Sequence, residues 1–464
     1  MPVGSGFTDV IPRQIVRTKT DRLYIFAAQT FTSNIRCYWT PNTGLPNAAG
    51  DFSLLTQITT STESLSIETI YDGDHIIHVL TNTRAGKLLD YPFDIASNSF
   101  LSPITLFTDS GTVVAGDYMG TSGVSGMIDL AGLIHISYWN KSNHIVHQAY
   151  VYDRDANTLT PYGDPTQVDA SGNANHPALA ISSADNSLTV AWISEASSPV
   201  RILARTRSSS GIWGNIEMVS TAPVWTSHYF GINIDQGPGL LITLDGIRHL
   251  TYIENFDQPE IYGRIHYAIK NGPEWVDERL NAYTNDPALA WNNSGEMYII
   301  GHGHPLNPSC KSLDEICVIK RTSDGTWGSP QLFASPPLNQ SFDSSPSVKW
   351  SVIGFNRPET IEFLFFVTPY QSPIVYYGRL AAILPTYTPT PLVETTATPT
   401  PAGTLEPTFT GTPTPTKTLV PTYTATPTPT KTLVPTYTAT PTPTKTLVPT
   451  YTATPTPTKT LVPT

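Results

Sequence analysis

Seven strand-length apolar runs recur through residues 1–383 at near-even spacing. They are RLYIFAAQ (22–29), DHIIHVLTN (74–82), LIHISYWN (133–140), LTVAWISE (188–195), IRHLTYIEN (247–255), EMYIIGHGH (296–304) and TIEFLFFVT (360–368). Their first residues lie 52, 59, 55, 59, 49 and 64 positions apart. Each run is rich in Val, Ile, Tyr, Phe or Trp and is bounded by turn-forming residues, and no long segment has the 3.6-residue period of a helix. The pattern predicts an all-β chain. Seven units of this size predict a β-propeller with four strands per blade, seven blades in all, with six the alternative count.

Each unit has its own inner order. A strand entered through proline comes first in HPALAIS (176–182), DPALAW (286–291) and SPSVKW (345–350). The apolar run follows, then a third strand such as VRILARTR (200–207) or GRIHYAIK (263–270). Several third strands run into a Gly turn and a tryptophan: SSSGIW (208–213), NGPEW (271–275) and SDGTW (323–327). Trp213, Trp275 and Trp327 are then expected to fill the gap between neighbouring blades, with each indole N–H reaching a backbone carbonyl. The last unit lacks a fourth strand, and GSGFTDV (4–10) is expected to supply it and close the ring.

From Leu384 onward the chain is almost entirely Thr, Pro, Ala, Leu, Val and Tyr, and TKTLVPTYTATPTP recurs with a 14-residue period. Proline at this density blocks both helices and sheet ladders and favours extended polyproline II. Residues 384–464 therefore read as a Thr/Pro-rich low-complexity stalk, glycosylated or plain, and residues 1–383 as the propeller. Tails of this kind resemble the stalks of bacterial surface proteins. The chain ends in mid-repeat at Thr464 and opens on MPVGSGFTDV without a basic-then-apolar leader. The expectation is a fragment of an extracellular or cell-surface protein with more chain downstream.

The tryptophan turn carries a family resemblance. Ser323-Asp324-Gly325-Thr326-Trp327 is a contracted form of the Asp-box turn, and the body resembles the sialidase-like, BNR-repeat propellers. That resemblance implies, as one reading, a glycoside hydrolase with three arginines on a substrate carboxylate, a Tyr nucleophile with a Glu partner, and an Asp acid. Arg248, Arg264, Arg321 and Arg379 lie in late strands. The family's early Arg-Ile-Pro is absent; Ile11-Pro12-Arg13 has the same residues in another order.

Other positions are candidates for binding chemistry. His176, Asp286 and Ser345 each precede proline at equivalent places, and are expected to ring one mouth of the central channel, as ligand contacts or as caps of the inner strands. His302 and His304 stand at i and i+2, a spacing a metal can use, but no acid or thiol completes the set in sequence, so the plainer reading is a polar loop. His144 and His147, at i and i+3 on a strand, read as structural. Cys310 and Cys317 flank a short polar loop and can form a disulfide or stand as two separate thiols; Cys37 is remote.

The tail has a net charge of +2 and the whole chain −11, so residues 1–383 carry −13. An acidic body with no basic cluster argues against nucleic acid as a partner. No apolar run reaches membrane-spanning length. No phosphate loop, dinucleotide fingerprint or nucleophile elbow occurs, so no cofactor is expected. The leading expectation is a monomeric binding or adhesion module for a glycan or protein. A sialidase-like hydrolase and a structural repeat domain positioning a downstream region are the alternatives.

Overall fold

The computed structural model describes residues 2–4, 13–29, 34–60, 67–83, 86–107, 123–224, 238–254, 263–284, 287–292, 295–312, 315–322, 324–335, 341–347, 360–368 and 374–381. The chain separates into two units, Met1–Pro389 and Thr390–Thr464, and all described residues belong to the first. They are strands and turns, apart from one 3-10 turn at Ala49–Asp51.

The strands fall into seven sheets. In chain order, β1 (Pro2–Gly4) is set apart from the sheet that follows it. The first blade is β2 (Arg13–Arg17), β3 (Leu23–Gln29), β4 (Asn34–Trp39) and β5 (Ser53–Thr59). The second is β6 (Glu68–Tyr71), β7 (Ile76–Asn82), β8 (Leu88–Asp90), β9 (Phe93–Asp94), β10 (Ser99–Phe100) and β11 (Ile104–Phe107). The third is β12 (Val124–Ile128), β13 (Ile134–Trp139), β14 (Ile145–Asp153) and β15 (Thr158–Gln167). The fourth is β16 (Ala174–Ile181), β17 (Leu188–Ser194), β18 (Arg201–Arg207) and β19 (Trp213–Met218). The fifth is β20 (Gly239–Ile242), β21 (Arg248–Ile253), β22 (Gly263–Lys270) and β23 (Val276–Thr284). The sixth is β24 (Ala288–Trp291), β25 (Met297–His302), β26 (Ile316–Arg321) and β27 (Gln331–Ala334). The seventh is β28 (Ser341–Ser347), β29 (Thr360–Thr368) and β30 (Ile374–Ala381), completed by β1.

The second blade keeps four rows although it has six segments. β7 pairs with both β8 and β9, and these pair in turn with β11 and β10. The break falls at Tyr91-Pro92, where proline has no N–H to give a ladder. Prolines in the other sheets sit where a missing donor does least harm. Pro161 and Pro165 lie on β15, the outer strand of its blade.

Ring closure is visible in the packing. The first strand of each blade touches the first strands of both neighbours, in the order β2, β6, β12, β16, β20, β24, β28 and back to β2. The buried apolar residues form seven clusters, and each lies between two adjacent blades. The cluster that closes the circle joins Ile15, Leu23, Ile25, Ala27, Tyr38 and Phe52 to Leu364, Val375 and Tyr377. These are the first and seventh blades. The fold is a β-propeller of seven blades. The second strands meet neighbours on both faces, so β7 and β17 are buried at every position. That is why they appear in sequence as continuous apolar runs rather than as alternation.

The closing strand is β1, antiparallel to β30 with Pro2 opposite Tyr376 and Gly4 opposite Val375. The sequence reading placed it at residues 4–10. The paired residues are 2–4 instead, and residues 5–12 lie outside the described set. Three residues are too few to show a strand pattern.

Candidate functional site

In these blades the first-to-second and third-to-fourth connections lie at one end and the second-to-third connections at the other. Among the described residues both ends carry tight turns, Thr322–Thr326 at the first and Asn140–His144 at the second. The hairpins share one closure. In the turn 322–326, Thr322 N donates to Thr326 O at 2.7 Å and Gly325 N to Thr322 O at 2.9 Å, with Gly325 at φ 90°. Ser208–Ile212, Thr243–Ile247 and Asp129–Leu133 repeat the pattern, each with a glycine at positive φ in the fourth place.

The Asp-box-like turn is one of these hairpins. Asp324 Oδ1 accepts from Thr322 Oγ1 (2.5 Å), Thr326 N (3.1 Å) and Thr326 Oγ1 (2.8 Å). Those bonds, the Thr322 hydroxyl first, hold its carboxyl down to about 2. It is bound to its own turn. Ser323 lies outside the described residues.

The tryptophans that follow pack backward onto the preceding blade. Trp213 meets His147 edge-on at 5.4 Å, and Trp327 meets Tyr267 edge-on at 5.0 Å. Trp275 joins the cluster between the fourth and fifth blades, and its Nε1 donates to Glu217 Oε2 at 2.9 Å. That partner is a carboxylate where a backbone carbonyl was expected. Trp327 Nε1 is buried with no hydrogen-bond partner among the described residues.

At the opposite end, β16 begins with a distortion. Asn175 pairs with Ile193 and Ala178 with Ala191, so one extra residue is inserted on β16. The bulge holds His176-Pro177, and His176 adopts a left-handed backbone at φ 52°. Proline explains the break in the ladder. It does not explain a left-handed histidine, which carries strain of about 1–3 kcal/mol.

The ring of His176 lies 6.0 Å from that of Trp139, tilted by 32°. Its Nδ1 donates to Asn175 Oδ1 at 2.9 Å, and Asn175 Nδ2 donates to Glu195 Oε1 at 3.0 Å. Glu195 itself is positioned by its N–H on Asn173 O at 2.8 Å. Trp139 is half-buried, and its Nε1 is enclosed without a hydrogen-bond partner among the described residues. The result is an aromatic pair with an ordered carboxylate–amide–imidazole chain beside it, at the end that bears the second-to-third connections.

The other expected mouth residues divide. Ser345 lies in β28 between the pairs Asp343–Phe366 and Ser347–Leu364, an irregular stretch with two extra residues where the His176 bulge has one. Asp286 lies outside the described residues. Trp139, Asn175 and Glu195 were not singled out from sequence. The only signal was the position of Asn175-His176-Pro177 at a strand start.

His302 and His304 are both buried, at 4% exposure each, rather than on an open polar loop. His302 N donates to Thr284 Oγ1 at 2.8 Å. His304 stacks on Tyr283 at 5.0 Å, and its Nδ1 accepts from Leu306 N at 3.1 Å. No group of three or more His, Cys, Asp or Glu able to hold a metal occurs among the described residues. Cys310 and Cys317 are joined by a disulfide that staples the loop carrying His304, while Cys37 is a free, buried thiol.

The arginines do not converge. Arg248 bonds Thr189 and Ser187 between the fourth and fifth blades, Arg321 lies over Tyr267 between the fifth and sixth, and Arg379 stands opposite Glu362 in the β29–β30 ladder of the seventh. All three are at the end of the first-to-second connections, whereas Arg264 opens β22 at the other. A Tyr–Glu pair exists, with Tyr377 Oη donating to Glu362 Oε1 at 2.5 Å. Tyr377 is 2% exposed, and burial raises its hydroxyl pKa far above the ordinary range, with the Glu362 charge adding to the effect.

His144 and His147 face different partners. His144 Nδ1 lies 2.9 Å from Asp169 Oδ2, and His147 Nε2 lies 3.0 Å from His135 Nδ1. His135 also approaches Asp129 Oδ2 at 3.3 Å. Burial, reinforced by His135 and Arg207, drives His147 down to about 3.

No family model and no curated protein matches the chain. Among solved structures it is similar to the polysaccharide lyase Uly1, at 10% identity over 81% of this chain and 90% of that one, with a TM-score of 0.48. The Dos1 propeller is similar at 9% identity over 76% and 75%, TM-score 0.40. The SapL1 lectin, solved with alpha methyl fucoside, is similar at 12% identity over 71% and 98%, TM-score 0.37. The assignment of seven blades rests on this chain's own strand pairing. No helix among the described residues is long and apolar enough to cross a membrane.

Proposed function

We propose that the propeller is a carbohydrate-binding module, displayed outside the cell on its Thr/Pro stalk, with its ligand seated at the end that bears the second-to-third connections. One observation carries the reading. His176 is held in a strained left-handed conformation beside Trp139, and its ring is fixed by Asn175 and Glu195. Strain of this kind persists where the surroundings over-determine it, and it clusters at binding sites. Sugars present C–H faces to aromatic rings and hydroxyls to fixed donors and acceptors. The ring of Trp139 and the Asn175–Glu195 pair supply the two kinds of contact.

The test is a glycan-array screen of the full chain beside Trp139→Ala and His176→Ala. Binding to defined glycans that both variants lose supports the reading. No glycan bound by the wild-type chain, or binding untouched in both variants, sinks it.

A further inference from the structure

The hairpin between the third and fourth strands of the fifth blade differs from its neighbours. In the turns 208–212 and 322–326 the glycine N–H is tied, Gly211 N donating to Ser208 O and Gly325 N to Thr322 O, both at 2.9 Å. Between Lys270 and Val276 the chain reads Asn271-Gly272-Pro273-Glu274-Trp275, and no backbone hydrogen bond among the described residues ties this loop. Pro273 has no N–H to give to one. Residues 271–274 are all exposed, Gly272 stands at φ 137°, and nothing lies within 4 Å of the place its Cβ would take. Neither the Asn271 amide nor Gly272 N has a hydrogen-bond partner among the described residues.

Asparagine is a chemically labile side chain. It is most labile before glycine, which has no side chain to shield its nitrogen and which turns freely. The flanking residues give the position a consequence. Lys270 Nζ and Trp275 Nε1 both donate to Glu217 Oε2 of the fourth blade, at 2.5 and 2.9 Å. The loop thus links two residues that pin the seam between the fourth and fifth blades.

We propose that Asn271 is a site of spontaneous covalent modification that loosens this seam as the protein ages. Gly272 N, its proton lost to hydroxide, attacks Asn271 Cγ. The N–Cγ bond forms, the Cγ–Nδ2 bond breaks, and the leaving nitrogen takes a proton from water and departs as ammonia, which restores the hydroxide. Water then opens the five-membered succinimide at either carbonyl, giving aspartate or isoaspartate. Solvent is the only co-reactant. Either product places a carboxylate beside Lys270, where it competes with Glu217. Isoaspartate also adds a methylene to the main chain between the two residues that hold Glu217.

The test is incubation of the full chain at pH 7 and pH 8.5 beside a synthetic peptide of residues 266–279. Peptide mapping by mass spectrometry and enzymatic methylation of isoaspartate follow the conversion. Asn271 in the folded chain is expected to convert at nearly the peptide's rate, and faster at pH 8.5. Asp245 and Asp324 also precede glycines, but Gly246 N and Gly325 N are tied to Thr243 O and Thr322 O, so neither is expected to yield isoaspartate. The aged chain is expected to unfold at a lower temperature than an Asn271→Gln chain aged beside it, the two being equal when fresh. Conversion an order of magnitude slower in the folded chain than in the peptide overturns the site. Full conversion with no difference in unfolding temperature between the two aged chains overturns its effect on the seam.

Discussion

Arg17 and Glu362 stand 345 positions apart in the chain, yet the guanidinium grips the carboxylate with both Nε, at 2.5 Å, and Nη2. The side chains are 1% and 8% exposed. The pair joins the first blade to the seventh, and the same arginine binds Asp21 Oδ1 at 2.7 Å while Tyr377 donates to the same glutamate. Removing one partner strands the other charge in a buried seam. Glu362→Ala is expected to lower stability in urea denaturation by about 3–5 kcal/mol. The double variant Arg17→Met with Glu362→Leu is expected to recover most of that loss, because no charge then remains buried. Equal losses in the single and double variants would show that packing, not charge, holds the seam.

The backward-packing tryptophans predict an unequal result within one motif. Trp213→Ala and Trp327→Ala each remove a half-buried indole from the gap between two blades. Each is expected to cost about 2–3 kcal/mol, measured as a shift in the denaturation midpoint. Asp324→Ala is expected to cost far less, since that carboxylate is fully exposed and serves only its own turn.

Acid sensitivity follows from buried imidazoles. Burial holds His147 and His249 at about 3, from an ordinary value near 6.5, with Arg321 adding to the effect at His249. Both are neutral in the native state, while the unfolded chain takes up protons below about pH 6.5. Native stability should therefore fall as pH drops from about 6.5 toward 3. Asp129, held at about 2 by its bonds to His135, Leu133 and Asn186 despite burial, extends the loss below pH 4. Denaturation midpoints at pH 7, 5.5 and 4.5 that stay level would refute this account.

Strain and function separate at His176. His176→Gly relieves the left-handed backbone, so the variant is expected to be as stable as wild type or more stable, by up to about 1 kcal/mol, while losing glycan binding. A variant that is markedly destabilised would mean that the histidine is a packing residue.

Gly303 tests the stapled loop. A Cβ there would lie 2.1 Å from Ser312 O and 2.8 Å from Cys310 O, both backbone atoms. Gly303→Ala is expected to displace the loop and expose Cys310 and Cys317 to thiol labelling under mild reduction, at a rate the wild type does not show.

Much of the fold was legible because the second strands are buried on both faces and so stand out as apolar runs at blade spacing. The prolines of His176-Pro177 and Ser345-Pro346 marked breaks in the ladder, since proline has no N–H for a regular strand, but the two breaks differ by a residue. The rest depends on contacts between distant parts of the chain. Nothing near Arg17 announces Glu362, and nothing near Trp139 announces His176, since the ring of blades brings them together. His302 and His304 misled because a two-residue spacing says nothing about a tyrosine from the preceding blade. The Asp-box-like turn is not special to one place: the same hairpin occurs at Ser208–Ile212 without an aspartate and at Thr243–Ile247 with one, where Thr243 Oγ1 donates to Asp245 Oδ1 at 2.6 Å between a first and a second strand, so the geometry belongs to the turn.

The three-residue strand β1 changes how the propeller bears load. It flanks β30 on the side opposite β29, so the last described strand is not an edge but lies between two ladders. A pull on Ala381 must slide β30 past the eight paired positions of β29 while also breaking its bonds to residues 2–4. Bonds lying across the direction of pull share the force, whereas an edge strand would be peeled one bond at a time.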